Sequence, residues 1–256
     1  MASVATRGRH ASGPERSIGQ FIVYALLVVF VVAAGLRWRS QQELREVRIL
    51  GLHSLAESEV RQVLDSSLVP RKVADVDLQA VRRAVLDLPF VRNAVVQRVS
   101  ENSIEITVTE REPLALLVNE TGEAAFLDAE AVVIPYRHLS QGRDLPVIRG
   151  ISGPGGVDTA AKRDVVTLLR EMRSTEGKML YDDISEIAFD RGKRSFSMET
   201  SADASLVLFG TFDNHTEKVS NLYSLRRTSV PGIVSGAATV IDVRWKDKMF
   251  ITKRPS

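Results

Sequence analysis

The chain has 256 residues, with 34 lysines and arginines against 32 aspartates and glutamates and a formal net charge of +2. Basic and acidic residues are interspersed along it, so the sequence shows no nucleic-acid-binding patch. There is no cysteine, which excludes disulfides, thiolate metal sites and thiol catalysis. About 220 residues follow an apolar N-terminal stretch, enough for one large or two modest domains, and we expect two.

That apolar stretch lies between Arg16 and Arg37 and contains no charged residue. At 1.5 Å per residue, its roughly 20 positions span about 30 Å as a helix, the thickness of a bilayer's hydrocarbon core. We predict a transmembrane helix over residues 18–36 behind a basic cytoplasmic tail over residues 1–17. The alternative is a cleaved signal peptide, since small residues occupy positions 33–35, but the stretch is longer than a usual signal-peptide core.

The expected topology places the tail inside and everything after the helix outside. Arginines flank both ends of the helix, so their count does not decide the orientation. Long C-terminal domains, however, translocate largely regardless of charge. The helix is expected to act as a tether, and the small residues Ala33, Ala34 and Gly35 leave open that it also packs against a partner helix.

The next segment, residues 44–113, has the periodicity of strand, helix, helix, strand, strand. A short alternating run ends at Gly51, and Ser54 with Glu57 has the spacing of a capping box at a helix N-terminus. Asp77 is the expected cap of a second helix, which Pro89 terminates. We expect the apolar stripe of that helix to pack on the last strand, and the residues concerned are Val81, Val85, Leu88, Ile104, Ile106 and Val108.

This order of elements, ending in Glu110-Arg111-Glu112-Pro113, resembles a polypeptide-transport-associated (POTRA) module. Such modules also occur as repeats in outer-membrane assembly proteins, whereas this chain shows one copy directly after the predicted membrane helix. One departure from the pattern is Val99-Ser100 in the hairpin turn, where many relatives carry an aromatic residue and a proline.

Residues 114–256 are predicted to form a β-rich C-terminal domain. Its expected elements are a hairpin, a helix capped by Asp158, a three-stranded meander, a second helix, and a terminal strand over residues 239–245 followed by a charged turn before Met249-Phe250-Ile251. The breaker-rich run at residues 152–156 is expected to be a linker or turn. The predicted fold class is α+β: a transmembrane helix, a βααββ module, and a mixed α/β-rich domain built on an antiparallel sheet.

The sequence predicts no enzyme. The histidines do not have metal-ligand spacing and are expected at the surface. Asp182 and Asp183 are adjacent, so in a strand they would point to opposite faces, and we expect them to be solvated. No cofactor, metal site or small-molecule substrate is predicted, and a membrane-anchored hydrolase is a remote alternative. The four histidines are His10, His53, His138 and His215.

Together, the tail, single membrane helix, POTRA-like module and β-rich domain resemble the FtsQ/DivIB bacterial cell-division proteins. Local matches are Leu145-Pro146 with Gly150, Leu208-Phe209-Gly210 followed by Lys218, and Ile241-Asp242-Val243-Arg244-Trp245. In the last motif, tryptophan replaces the tyrosine that the family usually carries, which keeps an aromatic ring and changes its polar group.

The resemblance implies a non-enzymatic scaffold of the inner membrane, enriched at the division septum, that recruits FtsB and FtsL and helps couple divisome assembly to septal peptidoglycan synthesis. Its implied partners are FtsB, FtsL, other divisome membrane proteins and the lipid bilayer, with no nucleic acid. The alternative is a single-pass POTRA protein that assists protein secretion or outer-membrane assembly.

The same resemblance implies that the C-terminal region binds FtsB. From the residues alone, the terminal strand is an ordinary sheet strand with Ile241, Val243 and Trp245 inward; the family suggests an exposed edge to which a strand of FtsB is added. The nearby cations favour an acidic partner segment. The predicted partner-binding residues are Ile241, Asp242, Val243, Arg244, Trp245, Lys246, Lys248, Lys193 and Arg194.

Overall fold

The computed structural model describes residues 15–40, 43–67, 75–100, 102–138, 144–153, 156–174, 179–228 and 239–253. Most of the predicted basic tail, residues 1–14, lies outside this part of the chain. The chain divides into two compact units. The first comprises Met1–Gly51, Glu57–Val85 and Ala94–Val108, and the second comprises Leu52–Ala56, Leu86–Asn93 and Thr109–Ser256.

Helix α1, Glu15–Ser40, begins the described chain. Its segment Gly19–Trp38 is long and apolar enough to cross a membrane. Its large apolar side chains are all exposed, from 55% for Ile22 to 74% for Phe21. The predicted N-terminal apolar helix is therefore present, and its uniformly apolar exposed surface fits a hydrocarbon environment.

The βααββ order predicted for the POTRA-like module is confirmed. The elements in chain order are β1 (Glu46–Leu50), α2 (Glu57–Ser67), α3 (Leu78–Leu86), β2 (Val91–Ser100) and β3 (Ser103–Glu110). The sheet order is β1-β3-β2, and β1 runs parallel to β3. Five of the six apolar residues expected between α3 and β3 are buried, and Leu88 is half-buried. The buried five are Val81, Val85, Ile104, Ile106 and Val108.

Two local predictions in this region have opposite outcomes. Asp77 does cap α3, because its Oδ1 accepts the amides of Gln79 at 2.9 Å and Ala80 at 3.2 Å. The capping box before α2 does not form as predicted. The Glu57 carboxylate pairs with Arg61 one turn along its own helix. The Ser54 amide donates instead to the carboxylate of Glu110, which is far from Ser54 in sequence and close to it in the fold.

Nine strands form the large sheet of the second unit, in the order β14-β13-β12-β11-β10-β7-β4-β5-β6. Pairs β4/β7, β7/β10 and β12/β13 are parallel, and the other neighbours are antiparallel. The α+β class is confirmed, but the prediction of an antiparallel sheet is wrong, because three neighbouring pairs are parallel and the sheet is mixed. These strands are β4 (Pro113–Val118), β5 (Ala124–Asp128), β6 (Val133–Pro135), β7 (Val147–Arg149), β10 (Ile184–Asp190), β11 (Ser195–Thr200), β12 (Leu206–Gly210), β13 (Thr239–Asp242) and β14 (Phe250–Lys253).

Three helices and a small hairpin complete this unit. The helices are α4 (Thr159–Ser174), α5 (Met179–Asp183) and α6 (His215–Thr228). Asp158 caps α4 as predicted, since its Oδ1 accepts the amide of Ala161 at 2.9 Å. The breaker-rich run predicted as a linker or turn pairs β8 (Ser152–Gly153) with β9 (Gly156–Val157). Pro154 and Gly155, between these strands, lie outside the described residues.

One row of apolar side chains crosses all nine strands on the face that packs with the helices, here called the inner face. The six residues in the middle of the row are at most 3% exposed and share a core with Val165 and Leu169 of α4 and Leu222 of α6. Burial decreases at both ends of the row. In sheet order the row is Ile251, Ile241, Val207, Met198, Ile187, Ile148, Leu117, Ala125 and Pro135.

Candidate functional site

The two groups of predicted partner-binding residues lie at the same end of the large sheet. Three register pairs place them there: Asp190 with Ser195, Phe196 with Gly210, and Leu208 with Asp242. Because β12 and β13 run parallel, both reach this end at their carboxyl termini. The turn between β10 and β11 and the segment after β13 therefore emerge side by side.

The expectation that residues 241–245 form an edge strand is wrong. Strand β13 ends at Asp242, and Ile241 is paired on both sides, with Val207 of β12 and Ile251 of β14. Among the described strands, the outermost position belongs to β14. Ile241 and Val243 are 3% and 1% exposed, so they are core residues and cannot contact a partner directly in this conformation.

Arg244 follows the strand and bends back onto Asp242. Its Nε and Nη2 donate to the two carboxylate oxygens at 2.9 and 2.6 Å, and its amide donates at 3.1 Å. The bonds from Arg244 hold the pKa of Asp242 below its usual range, and the same pairing raises the pKa of Arg244. A Cβ on Gly210, at φ 76°, would lie 2.8 Å from the Arg244 Cγ. Glycine at 210 thus leaves room for this folded-back arginine.

The exposed part of the terminal segment begins at Arg244 and continues with Trp245. The Trp245 side chain is 57% exposed, and Phe250 at the start of β14 is 52% exposed. Lys246 and Lys248 are also exposed, on either side of Asp247, which adopts φ 56°. The Asp247 amide donates to Glu217 of α6 at 3.3 Å. The turn therefore presents two aromatic rings and two lysines next to the edge strand.

Lys193 and Arg194 occupy the turn between β10 and β11. The Lys193 amide donates to Asp190 at 2.9 Å, and Arg194 reaches Asp158 at 3.3 Å. Their side chains remain 81% and 56% exposed. They share the end of the sheet with Arg244 and not the same edge, because β12 lies between β11 and β13, a separation of about 10 Å at the usual strand spacing.

Lys218 is a residue whose role the sequence did not indicate. Its side chain is only 6% exposed. Its Nζ donates to the Thr211 carbonyl at 2.7 Å and lies 5.1 Å from the Phe209 ring centre. The buried cation thus holds the loop that leads from β12 into α6. Apart from its place in the local match after Leu208-Phe209-Gly210, its helical spacing from Leu222 and Leu225 is a weak signal, since most such lysines are exposed.

The described part of the chain contains no group of acidic or histidine side chains that could hold a metal ion. His215, expected at the surface, is half-buried: its ring stacks on Phe212 at 4.1 Å, and its Nε2 is 3.6 Å from Glu171.

The site as a whole combines exposed aromatic rings, cations and the outermost described strand, an arrangement suited to binding a polypeptide.

An apolar N-terminal helix, a βααββ module and a β-rich unit with such an edge are the features expected of a membrane-anchored protein that carries one POTRA-like module. Residues 43–111 match the model of the POTRA domain, FtsQ-type. The chain is 26% identical over 185 residues to Cell division protein FtsQ of Geotalea daltonii, covering 69% of this chain and 63% of the relative.

Two further relatives carry the same name. The protein of Mycobacterium tuberculosis strain H37Rv is 26% identical over 228 residues, 84% of this chain and 65% of the relative. The protein of Salinibacter ruber is 32% identical over 154 residues, which cover 57% of this chain and 55% of the relative. The matches thus span between half and two thirds of these relatives' length. The chain's similarity to the cell division protein FtsQ, first indicated by its motifs, is confirmed.

Proposed function

We propose that this chain is a bitopic, non-enzymatic scaffold of cell division that recruits FtsB and FtsL. In this proposal it lies in the inner membrane with its N-terminus in the cytoplasm, is enriched at the septum, and helps couple divisome assembly to septal peptidoglycan synthesis. The similarity to FtsQ proteins supports the cell-division role. The observation that carries the FtsB proposal is the open edge of β14 beside the exposed Trp245 and Phe250.

Edge-strand addition is the proposed mechanism. An outermost strand presents backbone N–H and C=O groups along its free side, and a segment of FtsB can pair with them. Trp245 supplies an aromatic anchor at the start of that edge, and Lys246 and Lys248 attract an acidic segment. The predicted binding residues therefore divide into contacting residues and residues that shape the surface. Ile241, Asp242, Val243 and Arg244 belong to the second group.

Replacing Trp245 by alanine is expected to weaken FtsB binding about thirtyfold, or ~2 kcal/mol, since truncated aromatic anchors at interfaces typically cost this much. Lys248→Ala should cost less than about fivefold and depend on salt, as exposed ion pairs do. The measurement is a titration of the purified chain with an FtsB periplasmic fragment, with each fold checked by circular dichroism.

Tyr136→Ala is the matched control, because Tyr136 is 55% exposed and lies beyond the opposite edge strand, β6. It should bind FtsB like the unmodified chain. If folded Trp245→Ala does so too, FtsB binds elsewhere. Binding lost only when β2 or β3 is altered would favour the alternative, a POTRA protein that captures client strands for secretion or outer-membrane assembly.

The proposed topology makes a separate prediction. Alkaline phosphatase fused at the C-terminus should be active in cells, because this enzyme matures only outside the cytoplasm, and the fusion should stay with the membrane fraction. A β-galactosidase fusion at the same position is the control and should be inactive. A soluble secreted product that lacks the residues before Leu36 would instead support a cleaved signal peptide.

A further inference from the structure

A groove of about 840 Å³ lies on the inner face of the large sheet, at the side opposite β14. Its floor is apolar and includes Leu117 of β4, Ala125 of β5, and Val133 and Pro135 of β6. Leu117, Ala125 and Pro135 are the last members of the row that crosses all nine strands. In the groove, the apolar row that forms the core of the sheet is therefore exposed at the surface.

Burial along the row shows that the helices in the described part of the chain do not cover this part of the sheet. Leu117 is 3% exposed and packs in the same core as α4. Two strands further out, Val133 is 38% exposed on the same face, and Pro135 is exposed as well. An apolar sheet face that lacks its covering layer is a candidate site for a partner's apolar segment.

One wall of the groove is the β8/β9 hairpin, which Arg191 holds in place. The Arg191 guanidinium donates to the carbonyls of Gly150 at 2.9 Å, Ile151 at 2.6 Å and Gly156 at 3.3 Å. A Cβ on Gly153 would lie 2.7 Å from its Nη1, so the hairpin backbone lies directly against the arginine. The wall is thus preformed in the free chain.

The β4/β5 turn forms the other wall and carries the charge of the groove. The Asn119 Oδ1 accepts the amides of Thr121 at 3.0 Å and Glu123 at 2.8 Å, and its Nδ2 donates to the Glu123 carboxylate at 2.7 Å. Glu120 and Glu123 are both exposed at the rim. No lysine or arginine is among the described residues that line the groove. An apolar floor with a carboxylate rim complements an apolar segment bearing lysine or arginine.

The form of that segment follows from β6. Pro135 lies in this edge strand and has no N–H, so β6 presents an interrupted row of donors to any added strand. A helix needs no backbone pairing. It packs through side chains, and helices α4 to α6 already cover the adjoining part of this face. A helix in the groove would extend that layer over β5 and β6.

We propose that this groove binds a basic amphipathic helix of a partner protein, with apolar side chains on Leu117, Ala125 and Val133 and cations on Glu120 and Glu123. This site is distinct from the β14 edge and does not depend on FtsB binding there. This mode of binding is the one in which an amphipathic helix places apolar side chains at helical spacing into a groove.

The test is selection of phage-displayed random helical peptides on the full chain in nanodiscs of zwitterionic lipid, with counter-selection against empty nanodiscs of the same lipid. The lipid is identical on both sides, so peptides that bind membrane alone are removed. The chain has no cysteine, so a single Thr121→Cys substitution allows a fluorophore at the rim for titration of the selected peptides.

The proposal expects selected peptides with lysine or arginine on one face and apolar residues on the other. Val133→Asp should weaken their binding about thirtyfold. The pair Glu120→Lys and Glu123→Lys should weaken it about tenfold, with the loss shrinking as salt rises. Asp65→Lys, which makes the charge change of one of these substitutions at an exposed site in α2, should leave binding unchanged.

Three results would overturn the proposal. The first is no peptide enriched above empty nanodiscs. The second is enrichment without basic residues, or with the two-residue alternation of a strand. The third is binding that persists when the Val133→Asp chain, with unchanged circular dichroism, replaces the unmodified one. Val133 is partly exposed and both glutamates are on the surface, so these variants test the groove without altering the core.

Discussion

Replacing Arg226 by leucine is expected to lower the free energy of unfolding by about 3–5 kcal/mol, the usual cost of removing one partner from a buried ion pair. Arg226, on α6, reaches Asp183 with Nη2 at 2.8 Å and Asp203 with Nη1 at 3.1 Å. The three side chains are 12%, 15% and 7% exposed. Without the guanidinium, two carboxylates would be buried close together with no cation to balance them.

The carboxylates are linked to the strands that carry the candidate FtsB site. Asp203 accepts the Thr200 hydroxyl at 2.6 Å and the Ser205 amide at 3.2 Å. The Ser205 hydroxyl in turn contacts that of Thr239 in β13 at 2.7 Å. Loss of Arg226 should therefore loosen the ends of β11, β12 and β13 together, at the end of the sheet opposite Trp245.

The pH dependence of this loss has a definite sign. Burial would raise the pKa of Asp203, but hydrogen bonds from Arg226, Thr200 and Ser205 outweigh it and hold the pKa well below its usual range. Burial raises the pKa of Asp183 more than Arg226 lowers it. In the leucine variant both pKa values rise from those in the unmodified chain, so the ionised carboxylates become less favourable in the fold. The deficit is then full near neutral pH and shrinks as pH falls through these raised values.

The measurement is thermal unfolding of the full chain in detergent at about pH 7 and about pH 4, on either side of the expected titration. At the higher pH the midpoint should fall by roughly 6–20 °C. Arg227→Leu is the control, since Arg227 is the next residue on α6 and its side chain is exposed. Equal midpoints for the two variants would show that the buried pairs do not stabilise the domain.

Local patterns were sufficient to predict many elements of this chain, although β4, α5 and the β8/β9 pair were not predicted. The uncharged stretch before Arg37, the Asp77 cap, and the alternation at Ile104, Ile106 and Val108 each depend on residues close in sequence. Helical and strand periodicity express which face is buried, so they also predict core residues. These are the features that the structure confirms.

Long-range pairing could not be predicted in the same way. The terminal motif reads as one strand over residues 239–245, but β14 pairs outside β13 and moves the edge to Phe250–Lys253. Alternation states which side chains face inward and contains no information about which strand is outermost. Asp183 was expected to be solvated for the same reason. Its partner Arg226 lies 43 positions away in sequence, and nothing local indicates the pairing.

A single carboxylate in place of Ile106 should unfold the POTRA-like module, because a buried charge without a partner costs several kcal/mol. Ile106 is completely buried in β3, the central strand of its sheet, and pairs with Ile49 of β1. Because Ile106 has no exposed surface, water cannot reach a carboxylate at this position while the module is folded. Thr107→Asp places the same carboxylate one residue further along β3, where the side chain is exposed, and should leave the module folded.

Hydrogen exchange followed by mass spectrometry distinguishes the two variants. Ile106→Asp should remove protection from the amides of β1 and β3, while Thr107→Asp should keep it, since backbone pairing in a strand survives a polar residue on its solvent face. Unchanged protection in Ile106→Asp would mean that this face of β3 is not the core of the module. Loss of protection in both variants would mean instead that the three-stranded sheet tolerates no charge on either face. The burial of Ile106 would then not explain the loss of protection.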